Sequence, residues 1–122
     1  VTHPAPHLLT QAVYGLSEMA RPRLSSARLV ACPGCYPTAA LLALLPLAQA
    51  GLIRPANITI NALSGVSGAG RGLKETNLFA EVAEAVAPYA VGAHRHMPEI
   101  EQELAQAFEA PVAIGFTPHP LP

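Results

Sequence analysis

Cys35 lies in the run CPGCYPT, two residues before Pro37 and the apolar stretch TAALLALLPLAQAGLI. Proline is tolerated in the first turn of a helix, where its missing N–H costs no hydrogen bond. This spacing predicts a helix whose first residues carry the Cys35 sulfur at or beside the N-cap. Free N–H groups and the positive end of the helix dipole stabilise negative charge there, on the sulfur or on an oxyanion formed when it attacks a carbonyl carbon. Gly34 leaves no side chain to crowd an incoming substrate. The alternative is a small structural cysteine, which placement alone does not separate from a nucleophile. Cys32 and Cys35 also spell C-P-G-C, compatible with a redox dithiol at a helix start, although the lead-in of a thioredoxin-like βαβ unit is missing.

A second reactive cluster is His94-Arg95-His96, immediately before a helix expected to open at Pro98. Alternation along a strand puts both histidines on one face and Arg95 on the other. A helix N-terminus disfavours imidazolium, so His96 is expected to be neutral and able to exchange a proton. The competing reading is a hydrogen-bonded surface pair. HxH has too few ligands for a metal site, and no metal is expected. A third candidate is Ser64–Gly72, SGVSGAGRG, with four glycines and two serines. Its hydroxyls, backbone N–H groups and Arg71 suit a phosphate or a carboxamide. It has neither the GK[ST] ending of a phosphate-binding loop nor a GxGxxG pattern.

Composition narrows the chemistry. The 122 residues are 51% hydrophobic and 12% charged with a formal net charge of −1, the balance of a globular domain. No basic block suggests nucleic acid and no stripe suggests a membrane surface. No stretch is long enough to span a bilayer and no signal peptide is visible at the start, so the expected location is cytoplasmic. All eight acids are Glu, which excludes a Ser-His-Asp triad within the chain.

The elements that must position these groups follow from patterning. Residues 1–28 read as Pro-punctuated connection with one short helical piece. Residues 28–32 read as a short buried strand, and residues 37–51 as an apolar helix kinked or divided at Pro46 and closed by Gly51. A strand is expected over 57–63, an irregular helix over 74–87 and another strand over 89–96. Ile100, Leu104 and Phe108 mark a helix from Pro98. Val112–Phe116 reads as a strand and TPHPLP as a loop. Both ends look like cuts through a longer polypeptide.

Taken in order, PGCYPT, SGVSGAGR, GAHRHMPEIEQEL and FTPH resemble the N-acetyl-γ-glutamyl-phosphate reductases of arginine biosynthesis, over nearly the whole chain. The resemblance implies NADPH-dependent reduction of an acyl phosphate to a semialdehyde through a cysteine thioester. Cys35 matches the nucleophile and His96 the acid/base residue. His94, Arg95 and Arg71 are implied in holding the substrate, and Ser64, Gly65, Ser67 and Gly68 in lying against NADP(H). The implied fold is α/β, with a mixed, mainly antiparallel sheet and helices on one face. Residues 1–34 would be the last part of a Rossmann-type NADP-binding domain and 35–122 the catalytic and dimerisation domain, forming homo-oligomers. Two positions depart from the family pattern: Cys32, where Asn is common, and Pro120, where Leu is usual. An oxidised Cys32–Cys35 pair would be inactive. Rival readings are a sister reductase acting on aminoadipyl phosphate in lysine biosynthesis, the more distant aspartate-semialdehyde dehydrogenases, and a non-catalytic assembly module. Alkylation of Cys35 faster than Cys32 would favour an enzyme over the module.

Overall fold

The computed structural model describes residues 3–122. The N-terminal part holds two short strands, β1 (Val13–Tyr14) and β2 (Val30–Ala31), joined through helix α1 (Ser17–Leu24). They pair in parallel, Val13 opposite Val30 and Tyr14 opposite Ala31. The expected buried strand over 28–32 is corrected in extent and in burial. Only two residues pair as a strand, with β1 on one edge, and both are exposed.

The Cys35 helix, α2 (Cys35–Gln49), begins two residues earlier than Pro37 and runs through Pro46 without a break. Its end is fixed by Gly51, whose φ of 67° is open to glycine at no steric cost. The Leu52 N–H donates to the Leu47 carbonyl and the Gly51 N–H to that of Ala48, the paired bonds that close a helix around a left-handed residue. Leu41 and Leu45 point into the core from this helix.

Strand β3 (Ile58–Gly65) pairs in parallel with strand β4 (Ile114–Leu121), from Ile58 opposite Ile114 to Gly65 opposite Leu121. Ile58, Ile60 and Ala62 share one face with Ile114 and Phe116, and that face meets Ile100 and Leu104 of helix α4 (Met97–Phe108) and Leu41 and Leu45 of α2. The helices therefore cover one side of the sheet, as expected. The mainly antiparallel sheet is corrected: both observed pairings are parallel. Between β3 and β4 the chain crosses back through α4, and a crossover of that kind returns a strand in the same direction.

Three further expectations change. Residues 74–87 contain only a 3-10 turn (Glu75–Asn77) and a four-residue helix, α3 (Phe79–Val82). Residues 89–96 form turns, not a strand, with Ala90 at φ 45° and Gly92 at φ 67°. The expected loop TPHPLP is instead the second half of β4. Its two prolines are tolerated because they have the same parity in the strand. The Pro118 carbonyl accepts the Tyr89 N–H, so the side lacking N–H faces the 89–96 segment and not β3.

Candidate active site

The starts of α2 and α4 meet. Gly34, the N-cap of α2, is extended (φ −66°, ψ 161°), and its carbonyl accepts bonds from the Thr38 N–H and the Thr38 hydroxyl, each 2.9 Å. Cys35 is the first helical residue and is exposed. His96 is the N-cap of α4, and its carbonyl accepts the Ile100 N–H. A Cβ built on Gly34 would stand 2.6 Å from His96 Nε2. Glycine is required here because a buried imidazole occupies the space, which replaces the expectation that Gly34 leaves room for substrate.

A cavity of about 360 Å³ opens at this junction. Cys35, His94, Arg95 and His96 line one side, and Ser64, Gly65 and Gly68 the other. Seven of the nine residues singled out from sequence therefore share one cavity. The remaining two, Ser67 and Arg71, line an adjoining hollow of about 270 Å³ with Gly70 and Gly72. Lys74 and Asn77 line both.

The histidines sit together although the strand expected to align them is absent. Their ring centroids are 4.8 Å apart, and the His96 N–H donates to His94 Nδ1 at 3.2 Å. Accepting through Nδ1 leaves the His94 proton on Nε2. Arg95 reaches the same cavity, because turns do not alternate as a strand does. Burial lowers the affinity of His94 for a second proton, and the nearby charge of His96 and Arg95 adds to this. Burial likewise pushes His96 below the ordinary imidazole range; Glu99 opposes that shift and Arg95 reinforces it. Both rings are thus held neutral, and His96 Nδ1 is buried without a hydrogen-bond partner among the described residues.

Tyr36 was not singled out from sequence, yet it is the hub of the site. Its ring meets His94, His96 and Phe116 edge-on, at centroid distances of 5.5, 5.9 and 5.4 Å. Its hydroxyl lies 3.1 Å from that of Tyr89, a residue also on the cavity wall. Burial, the bond to Tyr36 and the nearby Cys35 keep the Tyr89 phenol protonated far above its usual range. An aromatic residue directly after a helix-opening cysteine was the available signal for Tyr36; Tyr89 lies in turns and offered none. Among the described residues no group of three or more His, Cys or Glu gathers as metal ligands.

The arrangement provides an exposed thiol at a helix N-terminus and a neutral imidazole against the residue before it. It also provides a glycine-rich stretch of lining that carries the Ser64 hydroxyl, which donates to the Gly65 carbonyl at 3.3 Å. Such a site can form a covalent bond to a carbonyl carbon and move the proton that the reaction requires.

Residues 35–122 match the family described as semialdehyde dehydrogenase, dimerisation domain. A protein of Rhodospirillum rubrum named N-acetyl-gamma-glutamyl-phosphate reductase is 57% identical over 120 residues, 98% of this chain and 34% of its own length. The reductase of that name in Moorella thermoacetica is 53% identical over 122 residues, 100% of this chain and 35% of its own. A rice protein named probable N-acetyl-gamma-glutamyl-phosphate reductase, chloroplastic, is 56% identical over 118 residues, 97% and 28% respectively. The chain spans about a third of the length of these relatives.

Proposed function

Because the chain belongs to the semialdehyde dehydrogenase family through its dimerisation domain, we propose that it carries the thiol and the proton partner of an acyl-phosphate reductase. N-acetyl-γ-glutamyl phosphate is the proposed substrate, since each of the relatives named above is called a reductase of that compound. The observation that carries the reading is the shared cavity of Cys35 and His96 at two helix starts.

In this reading His96, neutral at rest, takes the Cys35 thiol proton. The thiolate attacks the acyl carbon, the bond from that carbon to the phosphate oxygen breaks, and phosphate leaves with the electron pair. The product is a thioester on Cys35. Backbone N–H groups of the first turn of α2 face the oxyanion that forms on the way. His96 then returns its proton to the substrate oxygen as the thioester is reduced. Loss of that proton and cleavage of the carbon–sulfur bond release the semialdehyde and restore Cys35.

NADP(H) is the proposed source of reducing equivalents and would supply a hydride to the thioester carbon. The small residues Gly65 and Gly68 in the cavity lining would leave room for a flat ring. A Cβ on Gly68 would stand 3.1 Å from Ser64 Oγ, which donates to the Gly65 carbonyl at 3.3 Å, and a Cβ on Gly65 would meet nothing nearer than 3.7 Å. Ser64, Gly65, Gly68 and, at the rim, Ser67 would hold the nicotinamide end. His94 would donate from Nε2 to the substrate, and Arg95 would supply the positive charge that a neutral imidazole lacks. Arg71, in the adjoining hollow beside Lys74, would hold the anionic end further out.

Residues 1–34 would close an NADP-binding domain and 35–122 would form the catalytic and dimerisation domain of a homo-oligomer. The proposed location is the cytoplasm; no described helix is long and apolar enough to cross a membrane. An assay of the full reading frame with N-acetyl-γ-glutamyl phosphate and NADPH tests the reading. Cys35→Ala should abolish the reaction, and a full rate in that variant would overturn it.

A further inference from the structure

One carboxylate ties the site together. Glu99 Oε1 accepts the Gly34 N–H at 2.9 Å and the Tyr14 hydroxyl at 2.8 Å. Gly34 immediately precedes Cys35, Glu99 lies one turn beyond His96 on α4, and Tyr14 belongs to β1. Three segments far apart in sequence therefore converge on one oxygen atom. We propose that Glu99 and Tyr14 are positioning residues: their shared hydrogen bonds fix the start of the Cys35 helix against the His96 imidazole, without either residue touching substrate.

The physical reason is the lack of slack at this point. The Gly34 N–H is a helix-terminal donor with no partner inside its own helix. Glu99 satisfies that donor from the neighbouring helix, so a shift of α4 relative to α2 stretches a charge-assisted bond. Tyr14 donates to the same oxygen and removes the freedom of the carboxylate to rotate away. Beside this bond the His96 ring packs against Gly34 with no room for a methyl group, so the two helix starts are held by a bond on one side and a close contact on the other. Burial and the Glu99 carboxylate keep the Tyr14 phenol protonated, so it remains a donor across the working range.

The inference rests on the reading that Cys35 and His96 act together, and its test needs no substrate. In the full reading frame with Cys32→Ser, the rate of Cys35 alkylation by iodoacetamide is followed by mass spectrometry. Glu99→Ala should slow it about tenfold and Tyr14→Phe about threefold, the scale of an ordinary lost hydrogen bond. Glu99→Gln, which keeps an acceptor oxygen, should stay within about twofold of the parent. Added to Glu99→Ala, Tyr14→Phe should cost nothing more, since the two act through one atom. A Tyr14→Phe protein with normal circular dichroism and unchanged alkylation overturns the proposal. So does equal slowing by Tyr14→Phe in both backgrounds, or a Glu99→Gln variant as slow as Glu99→Ala. Coupled variants in a protein that accepts no acyl group would refute the reaction and keep the clamp, and acyl transfer with uncoupled variants would do the reverse.

Discussion

A methyl group at position 34 is the smallest change that should disable the site. It would stand 2.6 Å from a ring atom of His96, which is only 7% exposed and has little space in which to move. Gly34→Ala should therefore cost about 1–3 kcal/mol of stability and displace the imidazole. A lowered urea midpoint together with a fall in kcat checks it. The two histidines make a second prediction at this scale. Their pKa values are lowered in the fold, so below the ordinary imidazole value of about 6.5 the unfolded chain binds protons that the folded chain refuses. Their contribution to stability is full above that pH and is lost as pH falls. Urea unfolding at pH 7.5 and 5.5 should show lower stability at the acid end, and His94→Gln should flatten the difference.

At the scale of elements, α2 and α4 matter most, because each places one of the two proposed reacting groups at its start. They are held against the sheet by Leu41, Ile100 and Leu104, all fully buried. Leu104→Ala should cost about 2–5 kcal/mol in chemical denaturation, with activity falling in the folded fraction as α4 loosens. Both helices were legible in the sequence, since Pro37, Gly51, Pro98 and the apolar spacing of Ile100 and Leu104 are local signals. The segment 89–96 was not, because YAVGAHRH alternates like a strand while its pairing depends on what lies alongside. There it meets β4 through one bond, Tyr89 N–H to the Pro118 carbonyl, and turns away at Ala90 and Gly92. The extent of β4 was hidden for the opposite reason: Pro118 and Pro120 argue against a strand until their parity places the missing N–H groups on one edge. The placement of Cys35 and His96 at helix starts was legible from Pro37 and Pro98. Tyr36 and Tyr89 act through ring packing, and Glu99 and Tyr14 act through a contact spanning 85 residues, which no spacing rule reports.

For the molecule as a whole, the two ends of the site belong to different parts of the chain. Cys35 and His96 lie within the matched dimerisation domain, while Tyr14, which steadies them, lies before it. The 122 residues contain no GxGxxG pattern, so the chain by itself should bind NADPH weakly. Titration by nucleotide fluorescence should show a Kd of about 1 mM or weaker, against tighter binding by the full reading frame. Tight binding to the 122 residues would show that the wall around Ser64 and Gly68 holds more of the cofactor than proposed.

The central claim is that Cys35 takes the acyl group. Mixing the full reading frame with N-acetyl-γ-glutamyl phosphate in the absence of NADPH isolates that step. Intact-protein mass spectrometry should show one N-acetylglutamyl adduct per subunit, mapped to Cys35, with an equal amount of phosphate released and neither seen in Cys35→Ala. Phosphate release undiminished in Cys35→Ala, or an adduct on another residue, would contradict the account.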